Sequence, residues 1–165
     1  MNREEIVERL RRVGPRLDQE YGVSLIVLFG SVASGHSNIG MRLSSDVDIA
    51  IYLSTVNDER QKRGRHGSAL DDYLFNNKLL LVGEFTDLLR IDSVDVVLIN
   101  ECPPALKYEI FTKGMLTYCR DEREYEDQYL AAIREYFDIQ PLLKEQFEEA
   151  QEYLSSKGSA GNSSW

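Results

Sequence analysis

A chain of 165 residues, 42% of them hydrophobic, is long enough to bury one core and too short for two full domains. Its formal charge of −9 leaves no broad Lys and Arg surface of the kind that gives nucleic-acid binding its affinity, so direct nucleic acid is not an expected partner. Two cysteines, Cys102 and Cys119, stand in no metal-ligand spacing, the N-terminus is charged where a signal peptide would turn apolar, and the apolar runs fall far below the roughly 20 residues of a membrane span; a cytoplasmic location and no membrane span are expected.

Asn2 and Glu5 form a capping pair, and Ile6, Leu10, Val13, Leu17 and Tyr21 follow at helical spacing, which predicts a first helix. Gly14 and Pro15 lie inside it and are expected to kink or break it, because Pro lacks the amide donor. Ser24 to Phe29 is an apolar run ended by Gly30, and Ser45 to Leu53 is a second run rich in Ile and Val; both predict strands. Ser68 with Asp71 opens another helix, with Leu70, Leu74, Leu81, Phe85 and Leu88 on its apolar face up to about Arg90. Val94 to Ile99 predicts a third strand. Pro103 and Pro104 suit a helix start and Gly114 a helix end, so Ala105 to Lys113 should be a short helix leading to a fourth strand at Met115 to Cys119.

From Asp121 the pattern is charged and helical, with Tyr125, Tyr129, Ile133 and Phe137 at steps of four, and Pro141 is expected to start or kink a last helix bearing Leu142, Phe147 and Leu154. Ser155 to Trp165 is dominated by Ser and Gly and reads as a disordered tail. The expected organisation is a domain at 1–120, a helical extension at 121–154 and a tail at 155–165.

The chemistry concentrates on the strands. Successive strand side chains alternate faces, so Asp46 and Asp48 share one face while Val47, Ile49, Ile51 and Leu53 share the other. Residues two apart on a strand stand roughly 6.5 Å apart, close enough for both carboxylates to converge on one cation or a pair. Hard oxygen ligands of this kind suit Mg²⁺ or Mn²⁺, and Asp95 on the next apolar strand completes a trio if the two strands are neighbours. An acidic chain repels a free triphosphate, so a phosphate site must bring positive charge through metal or backbone amides. Gly30 and Ser31 at the exit of the first strand offer a cradle: Gly permits close backbone approach, Ser offers a hydroxyl, and a short helix starting near Val32 would aim amides at the anion.

These pieces resemble the nucleotidyltransferase superfamily of the DNA polymerase β type, whose mark is Gly-Ser, a spacer, Asp-x-Asp and a distant third Asp. The chain reads LeuPheGlySerValAlaSerGly from Leu28, SerAspValAspIleAlaIle from Ser45 and ValAspValValLeuIleAsn from Val94. Within that group it is most similar to the minimal nucleotidyltransferases, the MNT proteins, over roughly Val23 to Cys119. The resemblance implies an α/β (α+β) polymerase beta-like fold, a small mixed sheet flanked by helices with further helices C-terminal to it. It also implies attack on the α-phosphorus of ATP, with Gly30 and Ser31 holding the nucleotide and Asp46, Asp48 and Asp95 as catalytic metal ligands for two Mg²⁺ ions. Asp95 is the candidate acceptor of the hydroxyl proton. Two departures stand out. Family members usually carry Arg where Ser34 stands, and the spacer from Ser31 to Asp46 is lengthened around Ser37 to Leu43, where Arg42 or His36 would have to replace the missing charge.

MNT proteins are commonly encoded beside HEPN proteins, RNA-cleaving toxins for which the MNT partner is the antitoxin. The resemblance therefore implies AMP transfer to a tyrosine of a HEPN toxin, which adds bulk and negative charge where RNA must approach. Two other classes remain open: neutralisation by binding and occlusion without transfer, and transfer to a small molecule of the aminoglycoside type, for which the chain lacks a large acceptor-binding domain. His36 and His66 read as solvated loop residues. The basic cluster Arg60, Lys62, Arg63 and Arg65 is either a solvated loop or a triphosphate or partner contact. Tyr125, Tyr129, Tyr136 and Tyr153 form either a core-packing face or a partner surface.

Overall fold

The computed structural model describes residues 1–35, 46–54 and 68–159. His36, Arg42, the cluster Arg60, Lys62, Arg63 and Arg65, His66, and the side chain of Leu70 lie outside the described residues, as do residues 160–165.

Helix α1 (Arg3–Tyr21) opens on the expected reciprocal cap: the Glu5 amide donates to Asn2 Oδ1 at 2.8 Å and the Asn2 amide to Glu5 Oε2 at 2.9 Å. Strand β1 (Val23–Phe29) passes directly into a four-residue helix α2 (Gly30–Ala33). Then come β2 (Val47–Leu53), α3 (Ser68–Leu89), β3 (Val94–Leu98) with a 3-10 turn at Ile99–Glu101, α4 (Pro104–Lys113), β4 (Met115–Cys119) and α5 (Glu122–Ser159).

Two expectations change. Helix α1 runs unbroken through Pro15, whose exposed position puts the hydrogen bond that it cannot donate on the solvent side, where water can serve the orphaned carbonyl. Helix α5 likewise continues through the exposed Pro141 as a single element and reaches Ser159, so the segment read as a tail begins within it.

The four strands form one mixed sheet in the order β3-β2-β1-β4. β1 pairs antiparallel with both β2 and β4, while β2 and β3 are parallel, joined across the long α3 as a parallel pair requires. Each face of the sheet buries its own cluster. On one side Ile6, Leu10 and Leu17 of α1 and Leu74, Leu81, Phe85 and Leu89 of α3 close over Val47, Ile49, Ile51 and Leu53, all fully or almost fully buried. On the other side Ala50 and Tyr52 of β2 pack with Leu25, Val27, Ile110, Phe111 and Ala132, so α4 and the first part of α5 cover that face. Burying a side chain of the size of Phe85 or Leu81 stabilises by about 1.5–3 kcal/mol, which is what fixes which way β2 faces. Buried polar groups are satisfied: Thr117 Oγ1 donates to the Ile26 carbonyl at 3.0 Å.

Among the described residues no helix is long and apolar enough to cross a membrane.

Candidate active site

The alternation of β2 places Val47, Ile49, Ile51 and Leu53 in the α1 and α3 core, and Asp48 therefore emerges on the face shared with Ala50 and Tyr52. The register then brings the site together. Asp48 lies opposite Phe29 of β1 on one side and opposite Asp95 of β3 on the other. Gly30 and Ser31 follow Phe29 at once, so the end of β1, the start of β2 and the start of β3 meet at one end of the sheet's strands.

Gly30 has φ of 71°, in the left-handed region, and a Cβ there would overlap Asp48 Oδ2 and stand 2.9 Å from its Cγ. The glycine is thus required twice, for the turn from strand into α2 and for the close passage of the carboxylate. Among the described residues no side chain caps α2, and Gly30 and Ser31 are exposed while Val32 and Ala33 are buried; α2 is anchored by its second half.

Asp48 is half-buried, and its carboxyl pKa is raised, first by burial, then by the charge of Asp95, then by that of Asp46. All three carboxylates of the sequence motif are therefore close enough to interact, and Asp48 is the one that the others crowd. Asp46 differs from expectation in one respect. β2 begins at Val47, so Asp46 stands just before the strand, exposed, where its Oδ1 accepts a hydrogen bond from Ser93 Oγ. Asp95 is exposed on β3. Among the described residues no three His, Cys, Asp or Glu side chains already form a metal-holding group. The donor set nonetheless fits a divalent cation: Asp95 and Asp46 add to the cost of ionising the half-buried Asp48, and a hard cation between the carboxylates removes that cost.

Three supporting residues carry no legible sequence signal. Ser93 holds Asp46 through its hydroxyl, and its carbonyl accepts from the Val47 amide at 3.0 Å, which ties the entry of β2 to that of β3. Asn100, at the other end of the same strand pair, receives the Leu53 amide at 2.9 Å and donates to the Leu53 carbonyl at 3.1 Å. That double bond pins the β2–β3 register, and with it the level at which Asp48 meets Asp95. Arg3 crosses from α1 to the far end of α2, where Nη1 donates to the Ala33 carbonyl at 3.3 Å. Ser34, standing where the resembling proteins usually carry Arg, turns its hydroxyl inward on α2, to the carbonyls of Gly30 at 3.0 Å and Ser31 at 3.2 Å.

A family model described as "Polymerase beta, Nucleotidyltransferase" matches residues 13–123, a span that includes Gly30, Ser31, Asp46, Asp48 and Asp95. No curated protein sequence matches the chain. Among solved structures, a toxin–antitoxin complex with AMP-PNP aligns with a TM-score of 0.60 at 20% identity, covering 92% of this chain and 99% of that one. A tri-AMPylated Shewanella oneidensis HEPN toxin in complex with an MNT antitoxin aligns with a TM-score of 0.55 at 19% identity, covering 91% and 96%. The toxin–antitoxin pair MntA–HepT aligns with a TM-score of 0.53 at 19% identity, covering 91% and 97%. At these identities the likeness is one of fold.

Proposed function

The chain belongs to the polymerase beta nucleotidyltransferase family, and from that we propose that it is an antitoxin that transfers AMP from ATP to a tyrosine of a cognate HEPN ribonuclease toxin. The observation that carries this reading is the register Phe29, Asp48, Asp95, which sets the Gly30–Ser31 turn directly beside the crowded carboxylates. The likeness in fold to a complex with AMP-PNP and to one with an AMPylated HEPN toxin favours ATP as donor and a toxin side chain as acceptor.

In this reading the exposed backbone at Gly30 and Ser31 receives the triphosphate. Asp46, Asp48 and Asp95 would hold magnesium. Bound there, magnesium supplies neutralisation of phosphate charge and acidifies the acceptor hydroxyl. The tyrosine oxygen attacks the α-phosphorus, the bond between the α-phosphorus and the bridging oxygen breaks, and pyrophosphate leaves. The phenolic proton passes to Asp95, the exposed carboxylate on β3. Ser93 keeps Asp46 turned into the site, and Asn100 keeps the two strands level.

An RNA-cleavage assay of the HEPN protein separates this reading from neutralisation by occlusion. Preincubation of the toxin with the chain, ATP and Mg²⁺, followed by removal of the chain, should leave the toxin inactive, whereas preincubation without ATP should leave it active once the chain is removed. Equal and fully reversible protection with and without ATP would assign the chain to occlusion alone.

A further inference from the structure

We propose that the distal half of α5, residues 141–155, is a docking helix for a protein whose apolar groove is rimmed by Lys or Arg; the proposal rests on the antitoxin reading and takes the toxin as that protein. The first half of α5 is packed: Ala132 is buried in the second core with Tyr125 and Tyr129 beside it, and Tyr136 stacks on Tyr108 of α4 at 4.2 Å between ring centroids. The Lys107–Glu135 ion pair at 3.0 Å closes this contact.

The packing then stops. Every residue from Gln140 to Ser155 is exposed, among them Leu142 at 54%, Phe147 at 63% and Leu154 at 68%. At 1.5 Å per residue, residues 141–155 make about 22 Å of helix standing clear of the body. Extending an already formed helix needs no new nucleus, but the exposed apolar side chains of this half gain no burial from the body of the chain.

The surface is two-sided. Ile139, Leu143, Phe147, Ala150 and Leu154 follow at steps of four, four, three and four and form one apolar stripe, with Leu142 and Tyr153 along its edge. Asp138, Glu145, Glu148, Glu149 and Glu152 occupy the adjoining side, against the single base Lys144. That charge selects the occupant. A second copy laid on the stripe would bring another five carboxylates beside these, in a chain of net charge −9, and RNA phosphates or an anionic lipid surface would be repelled in the same way. A groove that buries the leucines and Phe147 while meeting the glutamates with Lys or Arg satisfies both sides.

The test uses the full chain and its cognate HEPN toxin. A Leu143→Gln, Phe147→Gln, Leu154→Gln variant changes only exposed side chains, so ATP binding and melting temperature should match the wild type. Its affinity for the HEPN protein, by calorimetry, should fall at least about 100-fold, the scale reached when central apolar anchors are removed. A Glu145→Lys, Glu149→Lys variant should bind more slowly and lose the salt dependence seen in the wild type. Amide exchange at residues 142–155 should be fast in the free chain and slow in the complex. Unchanged affinity of the triple variant, while the wild type binds, overturns the docking surface and leaves the antitoxin reading standing. A wild-type dimer in sedimentation that the triple variant abolishes would assign the stripe to a second copy instead. Wild-type chain that does not bind the HEPN protein at all removes the antitoxin reading and this surface with it.

Discussion

Asp48→Asn is expected to reduce AMP transfer by about 10³-fold, equivalent to ~4 kcal/mol of transition-state stabilisation, while leaving the metal-free chain more stable than the wild type. The two effects have one cause. Asp48 is the carboxylate whose pKa is raised by burial and by its neighbours Asp95 and Asp46, so its ionised form is held at a cost to the fold. A carboxyl with a raised pKa binds its proton more tightly in the folded chain than in the unfolded one. Stability therefore falls as pH rises from the ordinary carboxylate value of about 4 through the raised value, and the loss is complete above it. Asparagine carries no such charge. In EDTA the variant should melt higher than the wild type by an amount on the order of 2 °C at neutral pH, and the difference should vanish in acid below the ordinary value. Added Mg²⁺ should raise the melting temperature of the wild type and have little effect on the variant. A variant that melts lower in EDTA at neutral pH would mean that Asp48 serves the fold rather than a cation.

Gly30→Ala should lose activity through the backbone. At φ of 71° an alanine costs about 1–2 kcal/mol, and its Cβ would overlap Asp48 Oδ2, so either α2 or the carboxylate must move. Gly35 provides the control. Its φ is 72°, but among the described residues a Cβ there meets only Arg3 Nη1, at 3.4 Å. Both alanine variants should lose similar stability in urea, yet only Gly30→Ala should lose transfer, by about 100-fold, the scale of a misplacement near 1 Å in a reacting geometry. Equal activity of the two would remove the Gly30–Asp48 contact from the site.

The chemistry was legible where it depends on local pattern. An Asp-x-Asp at the head of an apolar strand, and a further Asp opening the next apolar strand, announce themselves because charge is out of place there, and the observed register places Asp48 beside Asp95. Asp46 stands just before β2 and is held by Ser93, a hydroxyl 47 positions away that no periodicity could single out. Asn100 is hidden for the same reason: its amide substitutes for a ladder bond to Leu53, and nothing in the run Val94 to Asn100 says which backbone it will find. Arg3 reaches Ala33 across 30 positions.

No break occurs at Pro15, and no separate helix starts at Pro141. Pro15 and Pro141 carry the same sequence signal as helix breakers, but both face solvent, so the carbonyl that each deprives of a partner can be served by water, and α1 and α5 continue. The tyrosines of α5 divide as packing dictates. Tyr125 and Tyr129 lie against the second core and Tyr136 stacks on Tyr108, while Tyr153 lies on the exposed half. A periodic pattern alone could not divide that helix into its two parts.

Transfer of AMP to a toxin tyrosine is read out by incubating the chain with α-labelled ATP, Mg²⁺ and the HEPN protein, then locating the label by mass analysis of both proteins. Label should appear on a HEPN tyrosine with the wild-type chain and be absent with Asp48→Asn. A neutralised HEPN protein that carries no label would contradict it.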